Sequence, residues 1–194
     1  GPSLHRPRPA RQRTPGPRDP AQARPHTQRA AHAINALQGL WHEALGQYAC
    51  LNRRTGQLVN SGSVGGLLPL MVLPPDHAHV TPLCQRLSHW MDKAPFGVCS
   101  MDPADERFDG KRYWRGPSWL IVNFLLMTGL RQCGQPDLAH RILQVSLNCI
   151  RHGGCSEYYH PMTGEPLGGG TFTWTAAMVI EFLGMEDAPK QNSE

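Results

Sequence analysis

The stretch "PSWLIVNFLLMTGL", residues 117–130, followed after five residues by "PDLAHRILQVSLNCIRHGG", residues 136–154, decides the fold class. The first is apolar nearly all round, so it is expected to be a helix buried on every side, with Pro117 as its first residue. The second alternates at helical spacing. His140, Gln144, Asn148 and Arg151 make one polar stripe, opposite Leu138, Ile142, Val145 and Cys149. That helix has one wet face, and Gly153-Gly154 end it. An all-buried helix next to a one-sided one is what stacked helical hairpins with an inner and an outer layer require.

Working outward, the same alternation recurs. "RAAHAINALQGLWHE", about 29–43, places Ala30, Ile34, Leu37 and Trp41 on one face. "GQYACLNRRTGQLVNSGSVGG" then reads as a short hairpin around Thr55-Gly56 and a glycine loop. "LLPLMVL" reads as a helix of about two turns. "PPDHAHVTPLCQRLSHWM" carries Val80, Leu83, Leu87 and Trp90 on one face. Pro82 either kinks that helix, with Asp76 as its cap, or opens it, with Thr81 as the N-cap. A long loop over 92–116 follows. The last helix, "TFTWTAAMVIEFLG", again has few polar positions and is expected to stop at Gly184. Six helices make three hairpins, with little strand.

The N-terminal region differs. Residues 1–29 hold seven of the 18 prolines and seven arginines against one acid, with no aromatic residue. Such a segment buries too little surface to offset its ordering entropy. Residues 1–28 are therefore expected to be a disordered leader and 187–194 a frayed tail, flanking a folded unit at 29–186. The leader also accounts for the net charge of +4: without residues 1–29, the chain has 12 basic and 14 acidic residues. A basic arm without interleaved aromatics reads as solvated rather than as a nucleic-acid binder. No stretch is long enough to span a membrane, and no apolar signal region opens the chain. The six cysteines form no C-x-x-C pair, and the ten histidines no H-E-x-x-H. They read as buried free thiols of a reducing cytoplasm, with no metal and no cofactor.

Two stretches carry chemistry. "YWRGPSW", residues 113–119, sets a tyrosine and two tryptophans around an Arg-Gly-Pro turn. Flat rings beside hydrogen-bonding groups suit a sugar, although Trp119 is equally placed for core packing. "EYYHPMTGEPLGGGTFTW", residues 157–174, sets two glutamates eight residues apart across a turn, among aromatic rings and three glycines. A turn that folds back can bring both carboxylates to one pocket. Two solvated glutamates on a surface loop are the plainer alternative.

Taken in order and spacing, "SGSVGGLLPLM", "YWRGPSWLIVNFLL", "EYYHPMTGEPLGG" and "FTWTAA" resemble the C-terminal part of the catalytic domain of certain inverting glycoside hydrolases. These are the glycoside hydrolase family 63-like enzymes that include mannosylglycerate hydrolase and the processing α-glucosidases. The similarity covers about residues 29–184. It implies an all-α fold, the (α/α)6 toroid of six helical hairpins, of which three make the C-terminal half. It also implies hydrolysis of an α-linked sugar substrate with inversion, Glu157 as the general base and Glu165 as a substrate-binding residue. Tyr113, Trp114 and Trp119 fall on sugar-site positions, and Arg115 either ties its turn together or reaches substrate. The family's general acid is an aspartate upstream of the helix at 29–43, and this sequence has no counterpart. His160 stands where the family has Asp or Asn. The expectation is a fragment inactive without a partner that supplies the N-terminal half. A non-catalytic carbohydrate-binding or interaction domain that kept the sugar site is the alternative. Glucose and mannose are not distinguished.

Overall fold

A computed structural model describes residues 20–186. Residues 1–19 of the leader expected over 1–28, and the tail expected over 187–194, lie outside the described residues. The architecture is all-α, as expected for part of an (α/α)6 toroid, with α3, α4 and α5 packed on one another. Helices α1 (Pro20–Gln38), α2 (Val80–Lys93), α3 (Leu120–Gln132), α4 (Pro136–Gly153) and α5 (Thr173–Glu186) carry it. Two two-residue antiparallel pairs complete it: β1 (Trp41–His42) with β2 (Gln47–Tyr48), and β3 (Tyr158–Tyr159) with β4 (Pro166–Leu167).

Helix α3 is the centre. Over residues 120–130 no side of it is exposed, and it packs against α4, α5 and the 3-10 turn Leu68–Met71. Gly129 permits that last contact. A Cβ there would lie 2.8 Å from the carbonyl carbon of Leu70 and the amide of Met71. Leu126, Met127 and Leu130 of α3 join Ile142, Leu143 and Leu147 of α4 and Phe182 of α5 in one core. Burying each such side chain stabilises the fold by about 1.5–3 kcal/mol. A buried polar link crosses the same core. The Asn123 amide donates to the Ser146 hydroxyl at 2.9 Å, and its oxygen accepts the Val98 amide at 3.4 Å.

Helix α4 keeps the expected wet and dry faces, opens on Pro136 and ends at Gly153. The turn near Thr55-Gly56 also forms, with the Asn52 and Gly56 amides closing it at 2.9 and 2.8 Å. Four of the cysteines are buried, Cys50 is exposed and Cys155 is between; all are free. Burial pushes the Cys84 thiol up to about 11 and those of Cys99 and Cys149 up to about 12.

Several boundaries differ from expectation. Helix α1 starts at Pro20 rather than near 29, so residues 20–28 of the expected leader are helical. It stops at Gln38, where the weak helix former Gly39 follows, and Trp41 becomes a strand residue. "LLPLMVL" forms 3-10 turns, not an α-helix. Helix α2 opens at Val80, so Pro82 falls within its first turn and neither kinks nor starts it. Helix α3 opens at Leu120, not Pro117. Ser118 is taken by strand-like pairing instead, its amide donating to Tyr159 O at 2.8 Å and its carbonyl accepting the Tyr159 amide at 3.0 Å. Helix α5 runs past Gly184 and is not wholly buried: Trp174, Ile180 and Leu183 are 54%, 73% and 48% exposed.

Candidate active site

The site is assembled on a ladder one residue wide. Cys99 pairs with Ser118, Ser118 with Tyr159, and Tyr159 with Pro166 of β4. This ties the loop before Trp119 to the β3–β4 hairpin that carries Glu157 and Glu165. Tyr159 anchors the hairpin. Its ring is fully buried, its hydroxyl donates to Gly154 O and accepts the Ser156 amide, and burial pushes its ionisation well up. The loop 109–116 is also closed on itself. The Asp109 amide bonds Arg115 O at 2.9 Å, the Arg115 amide bonds Arg112 O at 2.6 Å, and the Gly116 amide bonds the Ser100 hydroxyl at 2.9 Å. Of the two roles open to Arg115, its backbone performs the first, tying the turn.

Four rings and one carboxylate meet above this scaffold. Trp114 stacks on Trp119 with centroids 4.2 Å apart and planes 5° apart. Trp119 stacks on Tyr158 at 4.9 Å. Tyr113 stands edge-on to all three. Its hydroxyl donates to Oε1 of Glu157 at 2.9 Å. That bond, with the neighbouring charge, pushes the Tyr113 phenol up from its ordinary value. Glu157 Oε2 lies beside Gly168, and a Cβ on that glycine would stand 2.6 Å from both Oε2 and Cβ of Glu157. Trp119 is 3% exposed and Trp114 is 47% exposed. Trp119 is therefore the covered layer of the stack, and Trp114 offers the open face.

The second carboxylate is held apart. Glu165 pairs with Lys111 at 2.8 Å, and that hydrogen-bonded cation holds its carboxyl below the usual range. Residues 157 and 165 lie towards opposite ends of the hairpin, Glu165 accepting the His160 amide through its own carbonyl at 2.9 Å. Tyr113, Trp114, Trp119 and Glu157 are thus brought together through direct contacts. Glu165 is linked to them through the loop that bears both Lys111 and Tyr113. Lys111 is a site residue that sequence reasoning does not reveal. Gly168, the first of the three glycines, leaves space for the Glu157 carboxylate. Among the described residues, no group of three His, Cys, Asp or Glu is placed to hold a metal, and no helix is long and apolar enough to cross a membrane.

A family profile described as "Mannosylglycerate hydrolase MGH1-like glycoside hydrolase domain" matches residues 17–175. Mannosylglycerate hydrolase MGH1 of Selaginella moellendorffii is 39% identical over 153 residues, which are 79% of this chain and 31% of that protein. The mannosylglycerate hydrolase of Thermus thermophilus is 34% identical over 144 residues, 74% of this chain and 35% of that protein. A crystal structure of a Thermus thermophilus GH63 mannosylglycerate hydrolase in complex with glucose superposes with a TM-score of 0.72 at 32% identity. That match covers 77% of this chain and 38% of the other. The chain spans about a third of the length of these relatives.

Proposed function

The chain belongs to the mannosylglycerate hydrolase MGH1-like glycoside hydrolase family, and on that premise we propose that it forms part of an inverting α-glycoside hydrolase with Glu157 as the general base. The observation that carries this reading is the hydrogen bond from Tyr113 to Glu157 Oε1, made inside a stack of aromatic rings with one open indole face. In the proposed step Glu157 takes a proton from water as that water attacks the anomeric carbon, and the leaving oxygen is protonated by a second carboxyl group. Inversion requires the two carboxyl groups about 6.5–9.5 Å apart. Glu165, committed to Lys111, is read as a substrate-binding group, and the acid is assigned to a segment beyond this chain. The substrate class is an α-linked mannoside or glucoside, the sugar lying on Trp114 with Tyr113 at its edge.

The bare face of α5 supports the idea of a missing complement. A helix with as few polar positions as α5 is stable when most of its surface is covered, yet Trp174, Ile180 and Leu183 are about half exposed or more here. The proposed partner is the N-terminal half of the toroid, and the chain alone is expected to be inactive. Joined to that half from an intact relative, the chain should hydrolyse an α-linked glycoside. General base catalysis contributes about 10²–10⁴-fold, so Glu157→Gln should lower kcat by that order with KM little changed. In Glu157→Ala, azide should restore turnover and yield the glycosyl azide of inverted configuration. A retained product anomer, or an undiminished kcat in Glu157→Gln, removes the assignment. Sugar binding with no turnover in the joined protein favours the alternative, a binding domain that kept the site.

A further inference from the structure

Tyr113 is an unusual place to find a left-handed backbone. Its φ is +27°, and it is the only non-glycine with positive φ among the described residues. A bulky residue in that region costs of order 1–3 kcal/mol and persists only where surrounding contacts over-determine it. Here they do. The Trp119 indole N–H donates to Tyr113 O at 3.1 Å, and the Tyr113 ring is held edge-on between Trp119 and Tyr158. The strain aims one group: the phenol hydroxyl reaches Glu157 Oε1. On the other side of the carboxylate stands Gly168, at φ +74°, whose missing Cβ leaves room for Oε2.

Resting on the reading of Glu157 as the base, we infer that Tyr113 is the positioning residue for that base. It holds Oε1 so that Oε2 alone faces water, with Gly168 as the backstop that fixes where Oε2 stands. The role is separate from sugar contact, because it acts through the hydroxyl and not through the ring face. Strain held by an indole latch is what such a role needs: the hydroxyl is brought to the carboxylate before substrate arrives, and no reorganisation remains for the chemical step.

Two measurements test this. The first uses the chain as it stands. With tyrosines ring-labelled in ¹³C and the Tyr113 signal assigned by its loss in Tyr113→Phe, Tyr113 should ionise at higher pH than an exposed tyrosine. Glu157→Gln should move that midpoint back down. A Tyr113 midpoint indifferent to Glu157→Gln overturns the inference. The second uses the chain joined to its complementary half. A hydrogen bond to a charged group, or a displacement of about 1 Å, is worth about 10- to 100-fold. Tyr113→Phe, which keeps the ring, should lower kcat by that factor with KM changed less than about threefold. Gly168→Ala should do the same by pushing Oε2 aside, whereas Tyr113→Leu should raise KM as well. If Tyr113→Phe keeps kcat within about twofold while Glu157→Gln abolishes it, the positioning role fails and the base assignment stands. If Glu157→Gln itself keeps full kcat, both fail.

Discussion

Asp105 shows how much a single carboxylate can be surrounded on this surface. It accepts the Arg107 side chain at 2.9 and 2.8 Å, the Arg107 amide at 2.9 Å and the Ser61 hydroxyl at 3.1 Å. The Arg107 hydrogen bond, first among these causes, holds the Asp105 carboxyl at about 2, against the opposing effect of burial. A depressed carboxylate stabilises the fold fully above its unfolded value, about 3.9, and loses that contribution as pH falls through the folded one. Arg107 is half exposed, so the effect is on the order of 1 kcal/mol, equivalent to about 2–4 °C in a chain of this size. Wild type should therefore melt about that much above Asp105→Asn at pH 6, and the gap should close between about pH 4 and 2. A gap independent of pH would mean that shape, not charge, holds the loop. At this scale Glu157 and its rings are legible in the sequence because they are close in the chain and chemically distinctive. Lys111 is not, since its partner Glu165 lies 54 residues away and nothing local marks an exposed lysine as paired. The left-handed backbone of Tyr113 is equally hidden, because tertiary contacts impose it against the residue's own preference.

Among the elements, α3 against the Leu68–Met71 turn gives the sharpest test. Alanine in place of a mid-helix glycine normally stabilises by about 1 kcal/mol. At Gly129 the new methyl would sit 2.8 Å from the Leu70–Met71 peptide, and overpacking of that kind costs about 1–3 kcal/mol. The cost wins, so Gly129→Ala should lower the melting temperature by a few degrees; a rise would show that the turn yields freely. Helices α3 and α4 are readable because their apolar periodicity is long and uninterrupted. Their neighbours are less so. The turn at 68–71 contains Pro69 and is held in a 3-10 form, and the start of α3 is set by Tyr159, a residue that no local window around Ser118 contains. The largely apolar sequence of α5 reveals its type but not its exposure.

For the whole molecule, behaviour in solution turns on what lies against α5. No residue of α3 over 120–130 is exposed, with Ile121, Phe124, Leu125 and Thr128 half-buried, and the bare surface is that of α5. Exposed apolar patches of this kind promote association. The isolated chain should therefore form concentration-dependent oligomers in sedimentation velocity. Ile180→Asp with Leu183→Asp should return it to a monomer, with the melting temperature little changed because neither side chain is in the core. A monomeric wild-type chain at about 100 μM, the upper part of the range where exposed apolar surface drives aggregation, would show that the α5 face is tolerated bare. The charge balance, near neutral beyond residue 29, holds no hint of this face, because a patch depends on which side chains converge and not on how many there are.

The bond between Tyr113 and Glu157 joins residues 44 apart, and everything between them is the α3–α4 hairpin and its approaches. This has a kinetic consequence. Closing a loop of that length loses chain entropy that local helix formation does not, and contacts of high sequence separation form late in small domains. The α3–α4 hairpin should therefore condense first and bring the two ends of the site together afterwards. In refolding experiments, far-UV ellipticity should recover before the component of the tryptophan fluorescence change that Trp114→Phe removes, which reports the Trp114–Trp119 stack apart from Trp41, Trp90 and Trp174. Trp119→Phe should erase the slower signal and spare the faster one. Coincident recovery of the two signals would mean that the aromatic stack is already part of the folding nucleus.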